Sequence, residues 1–308
     1  MSFSSNATYF NGQKVEDFNI EKGISNPAIA YRFRTDYDGE QDYVIKALNR
    51  FLEDPKFSQV QNFVIGMWSD EHDDSPSPIL ELLATNKAKL QQIKGIFFGD
   101  ITYEENEVSW IENTSHAVLL EALPALEVYQ VRGGNGLLLG KLHHQGLKKL
   151  IVQTGGMGSD LLAEVAQADL PNLTHLELWL GAENYGFSGT VEQVMATYRG
   201  TKANHLPALN YLGLRNSEIV DKIAAALKDD PILERIETLD LSKGVLSDVG
   251  AEALFDNPSI KNLKKLNLQH NYISDDWAEK LNDLGVKIDL SERNTEEEED
   301  YRYVEVGE

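Results

Sequence analysis

Apolar positions in this chain recur in a fixed phase. Leu263, Leu266 and Leu268 open a stretch that reads L-x-x-L-x-L-x-x-N-x-I through Asn271 and Ile273. The alternation through Leu266 and Leu268 is strand spacing, and Ser274–Leu281 behind it carries a helical pattern. Upstream, the same opening position falls at Val60, Ile93, Leu126, Leu147, Leu173, Leu209 and Ile236, with successive spacings to Leu263 of 33, 33, 21, 26, 36, 27 and 27. Three and five residues after each lie the strand pairs: Phe63/Ile65, Ile96/Phe98, Tyr129/Val131, Leu150/Val152, Leu176/Leu178, Leu212/Leu214, Leu239/Leu241 and Leu266/Leu268. A ninth, shortened strand is predicted at Ile288-Asp-Leu290. Leu-Pro steps at 123–124, 170–171 and 206–207 end helices and direct the chain into the next strand.

Between strands the pattern predicts helices. Ser247 or Asp248 caps one whose apolar face is Val249, Ala253 and Leu254; Asp221–Leu227 is a second. The phrase is that of leucine-rich repeats, and units near 27 residues with a full helix resemble the ribonuclease-inhibitor class. One such unit cannot bury its own leucines, so neighbours must stack on both sides. The expected fold is α/β: a leucine-rich-repeat solenoid, or horseshoe, with a curved parallel sheet inside, helices outside and an N-terminal α+β cap. Residues 1–55 form the cap, 56–290 about eight repeats, and 291–308 an acidic tail with a terminal strand. In the cap, Tyr31 and Phe33 alternate as in a strand, Asp36–Gly39 reads as a turn, and Val44, Ala47, Leu48, Phe51 and Leu52 share one helical face. The turn Asn appears only at Asn271; its equivalents are Gly134, Gly155, Gly181, Ser217 and Gly244, with Trp68 and Ile101 in the first two repeats, where looser geometry is expected.

Beyond the repeat, Gly99–Glu104, Ser109–Ile111, Val131–Gly134, Leu176–Gly181, Gly213–Glu218 and Arg302–Val304 resemble a family of uncharacterised bacterial cytosolic leucine-rich-repeat proteins. The resemblance covers nearly the whole chain. It implies the fold and a bacterial cytoplasmic setting, and no established activity.

The charge balance narrows the partners. A net charge of −22 opposes nucleic acid and anionic membrane, and no Lys/Arg block offsets it. The run Glu296–Asp300 reads as solvated. Cysteine is absent, which removes disulfides, thiolate metal sites and a cysteine nucleophile. The opening residues lack the pattern of a secretory signal.

Alternation places two columns on the sheet face opposite the leucines. They are Val64, Phe97, Gln130, Ile151, Glu177, Gly213, Asp240 and Asn267, and Gly66, Gly99, Arg132, Gln153, Trp179, Arg215, Ser242 and Gln269. Arg132, Glu177, Trp179, Arg215 and Asp240 make a charged and aromatic band, either a contact surface or a set of internally paired charges. Long repeats gain residues after their strands, at 68–74, 100–112 and 182–189, and these inserts carry Asp70, Glu71, Asp100, Tyr103, Glu104, Trp110, Glu183 and Tyr185. Insertions on one face often mark a solenoid's binding face.

The expected function is therefore a non-catalytic protein-interaction module whose partner presents a basic surface, with no cofactor and an open oligomeric state. A small-ligand or metal binder is the alternative. A hydrolase using Glu177 and Asp240, two strands and roughly 10 Å apart, is a weaker one. Asp70–Asp74 lacks the Gly and terminal Glu of a calcium loop. His143 and His144 diverge and read as solvated loop, and the glycines at 134–136 and 155–158 do not complete a phosphate loop.

Overall fold

The computed structural model describes residues 3–36, 42–69, 74–200, 205–294 and 302–307. The turn expected beyond Asp36, the acidic insert at Asp70, Glu71 and Asp73, and the Glu296–Asp300 run lie outside them. Two compact units emerge, one of residues 2–153 with 168–172 and one of residues 154–167 with 173–307.

In the N-terminal unit, β1 (Tyr9–Phe10) and β2 (Gln13–Asp17) form an antiparallel hairpin. Its turn is Asn11-Gly12, both with positive φ (46° and 76°), the conformation that suits Asn-Gly. From β2 the order is sequential and parallel through β3 (Ala30–Phe33), β4 (Asn62–Ile65), β5 (Gly95–Phe98), β6 (Val128–Arg132) and β7 (Lys149–Gln153). Tyr31 stands opposite Phe63 and Phe33 opposite Ile65, so the register continues into the residues expected to form a cap. Helix α1 (Tyr43–Leu52) buries the five apolar residues predicted for it. Helices α2 (Ser77–Thr85) and α3 (Ala117–Ala122) follow β4 and β5.

The C-terminal unit repeats the plan. Strands β8 (His175–Gly181), β9 (Tyr211–Ser217), β10 (Thr238–Asp240), β11 (Lys265–Asn267) and β12 (Lys287–Asp289) pair in parallel and in order. Leu176, Leu212, Leu239, Leu266 and Ile288 occupy one register row. Helices α4 (Ser159–Gln167), α5 (Val191–Arg199), α6 (Val220–Ala226), α7 (Asp248–Phe255) and α8 (Asp275–Asn282) belong to this unit. A parallel pair needs a crossover, and a helix supplies it after β8, β9, β10 and β11. Ser247 caps α7 by accepting the Val249 N–H, as expected, but the helix is rotated from the expected face: Gly250, Ala251 and Leu254 are buried and Val249 is 68% exposed. The cause lies in Gly250, where a Cβ would stand 2.3 Å from Oδ1 of Asp221 on α6, so a glycine lets the two elements close together.

All sixteen expected strand-pair residues are at most 1% exposed. Asn271 makes the side-chain bonds expected of the turn Asn, donating to the Leu268 carbonyl at 2.6 Å and accepting the Ile273 N–H at 3.0 Å. One expectation changes in the N-terminal unit. Val64 and Phe97, placed by alternation on the face opposite the leucines, do not meet solvent. Phe10, Val15, Ala30 and Val128 pack with them as a second core, with Ala7 against it. The hairpin folds over this face because its own apolar residues must also be buried.

Candidate functional site

Alternation along β8 puts His175, Glu177 and Trp179 on one side of the sheet. On β9, Tyr211, Gly213 and Arg215 stand opposite them, and Asp240 and Asn267 extend the row onto β10 and β11. Gly213 is the gap that lets the row close. A Cβ there would stand 3.1 Å from the Tyr211 ring and 3.2 Å from Cγ of Glu177. Through this gap the Tyr211 hydroxyl meets both carboxylates, at 2.8 Å from Asp240 Oδ2 and 3.3 Å from Glu177 Oε2. The Tyr211 ring stacks on His175 at 3.8 Å, and His175 Nε2 is 3.3 Å from Glu177 Oε2.

Glu177 is the hub. Trp179 Nε1 donates to its Oε1 at 2.7 Å and Arg215 to the same oxygen at 2.9 Å. Arg215 also bonds Ser242 Oγ at 3.0 Å and lies 3.6 Å from Asp240, while Asn267 donates to Asp240 at 2.8 Å. Burial disfavours the Glu177 charge. The bonds from His175 and Trp179 and the Arg215 guanidinium overcome it and hold the carboxyl at about 2. Burial likewise opposes the Arg215 charge, but Asp240 and Glu177 raise its pKa above the ordinary value.

The four band residues of this unit thus come together on one face, yet closed. Glu177, Trp179 and Asp240 are 7%, 4% and 4% exposed, and their polar groups are engaged with one another. The paired carboxylates share a tyrosine hydroxyl and a guanidinium. His175, Tyr211 and Lys243, whose ammonium lies 5.5 Å from the Trp179 ring centroid, complete the cluster and were missed in the sequence. Tyr211 and His175 lie two residues before the singled-out Gly213 and Glu177, so strand alternation was the signal for them.

In the N-terminal unit the candidates divide. Asp100 is fully buried; its carboxylate accepts the Ala7 N–H at 3.1 and 3.0 Å and a bond from Arg32 at 3.1 Å. Arg132, 5% exposed, donates to the Ile101 carbonyl at 2.6 Å and to Gln153 at 3.1 Å, and lies 3.5 Å from the Phe3 ring centroid. Burial lowers its pKa to about 10 against the opposing pull of Asp100 and Glu105. These two residues lock the base of the 100–112 loop. Within it, Thr102 donates its N–H and hydroxyl to Glu105 at 2.8 and 3.0 Å. Inside that brace Tyr103 is 45% exposed and Glu104 is exposed beside it, and beyond it Trp110 is 62% exposed.

Tyr185, in the loop after β8, is half-buried, with Gly307 against its ring. His143 is exposed and pairs with Asp169 at 2.7 Å, but His144 is buried, a correction to the solvated loop expected for both. Its Nδ1 accepts the Leu147 N–H at 2.9 Å and its Nε2 lies 3.0 Å from the Leu123 carbonyl, so it ties a turn. Among the described residues no group of three His, Asp or Glu side chains converges as a metal site, and no helix is long and apolar enough to cross a membrane.

No protein-family model and no curated protein matches the chain. Among solved structures it is similar to a Bacteroides fragilis protein determined as a structural-genomics target, with a TM-score of 0.81 and 32% identity over 89% of this chain and 76% of that one. An internalin from Listeria monocytogenes also aligns, with a TM-score of 0.37 and 14% identity over 78% of this chain and 56% of its own.

Proposed function

This chain belongs to the same family as that Bacteroides fragilis protein, a kinship that carries the fold, and from the site we propose a non-catalytic protein-interaction module. We read its strand–helix units as leucine-rich repeats of the ribonuclease-inhibitor class, with residues 1–55 as cap and 291–308 as tail, working in a bacterial cytoplasm. The partner is a protein with a basic surface.

One observation carries the reading. Trp110 and Tyr103 stand 62% and 45% exposed on a loop whose base is fixed by the buried Asp100. Large aromatics held out on a rigid base lose little conformational entropy on contact, and Trp and Tyr are the commonest interface anchors. Glu104 between them, in a chain of net charge −22, favours a cationic counterpart. Asp100 and Arg132 act here as positioning residues. The row of Glu177, Trp179, Arg215 and Asp240 gives the C-terminal unit a stiff polar face, and Tyr185 adds a half-buried ring in the loop after β8.

The test is site-specific photocrosslinking. A benzoylphenylalanine at position 110 should capture a discrete protein in cells, while the same group at the exposed Lys141 should not. The captured protein should bind a Trp110→Ala, Glu104→Lys variant roughly tenfold or more weaker. Equal capture at both positions, or unchanged affinity of the variant, would end the reading.

A further inference from the structure

Residues 302–307 lie across the end of β9 and the loops that follow β8, β10 and β11 in the C-terminal unit, and their backbone is read position by position. The Tyr272 hydroxyl accepts the Tyr303 N–H at 3.1 Å and meets its carbonyl at 3.3 Å. The Glu305 N–H donates to the Lys243 carbonyl at 2.9 Å, and its carboxylate is 2.6 Å from the Lys243 ammonium, with these side chains only 12% and 16% exposed. The Asn216 carboxamide closes on Val306 with two bonds: Oδ1 accepts its N–H at 2.9 Å and Nδ2 donates to its carbonyl. Val304 and Val306 are 6% and 2% exposed. Gly307 rests on Tyr185, where an added Cβ would stand 2.2 Å from Cε2 of the ring.

Most of these contacts come from side chains reaching the backbone of an irregular segment that bends at Glu305, the way peptide-binding surfaces hold a ligand while pockets select its side chains. Asn216 is fully buried and sits at φ 54°, a conformation Asn tolerates better than most residues. Its amide would lose both bonds to Val306 if the segment left, at a real desolvation cost. The groove also has charge chemistry of its own. The Lys243 ammonium that pairs with Glu305 lies 5.5 Å from the Trp179 ring, joining the groove to the Glu177 row.

We propose that this groove is a peptide-recognition site, and that its ligand in trans is a segment of a partner protein reading apolar–acid–apolar–glycine and bent at the acid. Residues 304–307 fill it in cis. A tethered segment competes at roughly millimolar effective concentration, so the partner's segment enters when the tethered one is displaced. The inference does not rest on the 100–112 loop as a contact surface.

The probe is a fluorescein-labelled octapeptide with the sequence of residues 301–308, followed by anisotropy against the full chain. The Val304→Asp, Val306→Asp variant, whose own segment cannot seat, should bind it roughly tenfold or more tighter than the wild type. Adding Asn216→Ala to the protein, or Gly307→Ala to the peptide, should each weaken binding roughly tenfold. Should the double variant fail to fold, Glu305→Lys in the full chain, which sets like charges at Lys243, takes its place. The proposal fails if a folded variant binds the peptide no better than wild type, or if binding ignores Asn216→Ala and Gly307→Ala. A wild-type chain that runs as a dimer and is dissociated by the peptide would overturn it in favour of exchange between copies.

Discussion

Arg215 and Trp179 meet twice. The guanidinium carbon lies 4.8 Å from the indole centroid, and both side chains donate to one oxygen, Oε1 of Glu177. The cation, the ring and the anion form a closed triangle on the sheet face, so removing the anion takes from the guanidinium and the indole N–H the acceptor they share, and leaves Arg215 only Ser242 and Asp240.

Glu177→Leu, which removes the acceptor as well as the charge, should therefore destabilise the fold by about 3–5 kcal/mol in urea unfolding, the range for breaking one side of a buried ion pair. Lys264→Ala, which breaks an exposed pair with Glu237, should change stability by about 0.5 kcal/mol or less. Similar losses at the two sites would mean that the triangle contributes no more than a surface pair.

Strand phase sets a second contrast. Leu266 is fully buried, so Leu266→Ala should cost about 2–5 kcal/mol. Its neighbour Lys265 points to the other face and should tolerate Ala within about 0.5 kcal/mol. Chemical denaturation of the two variants side by side checks it.

Acid should weaken the fold in two stages. His116 is wholly buried between Tyr129 and Asn113, and burial pushes its pKa from 6.5 down to about 3. The unfolded chain binds a proton there below pH 6.5 that the folded chain refuses until about pH 3, so stability falls as pH drops through that window. The slope from this one group is about 1.4 kcal/mol per pH unit. Glu177 adds a second loss as pH drops from 4.5 toward its folded value of about 2. Thermal melts from pH 7 to pH 4 should show the first stage, and a conservative His116→Gln variant should flatten it.

Gly181 is required by close approach. Its φ is 78°, and a Cβ would stand 1.7 Å from the Gly155 carbonyl oxygen. Gly181→Ala should lower the melting temperature by more than Gly158→Ala, where nothing lies within 4 Å.

The strand phase was legible in the sequence because burial on one face imposes a period of two, and every residue from Phe63 to Leu268 in that phase obeys it. The composition of the opposite face was legible too, and the Glu177, Trp179, Arg215 and Asp240 row follows from alternation alone. Whether that row is open was not legible. Closure depends on Tyr211 swinging through the space at Gly213, a contact between strands 36 residues apart at the equivalent Leu176 and Leu212. The N-terminal cover over Val64 and Phe97 announced itself only as Asn11-Gly12, a hairpin signal in a segment without the repeat. The seat of residues 302–307 had no local mark, because Asn216 at the end of β9 and Tyr272 in the loop after β11 show nothing unusual until a distant segment meets them. Val249 misled because helix phase cannot be set from three apolar residues when Gly250 permits a closer neighbour.

The row through Leu176, Leu212, Leu239, Leu266 and Ile288 keeps its alignment although the intervals along the chain are 36, 27, 27 and 22 residues. Each rung is tied to the next by backbone bonds, and the surplus length is carried entirely by the return path. Such a molecule can acquire or shed loop segments without disturbing its leucine ladder, so new surface chemistry can accumulate in the returns while the scaffold stays constant.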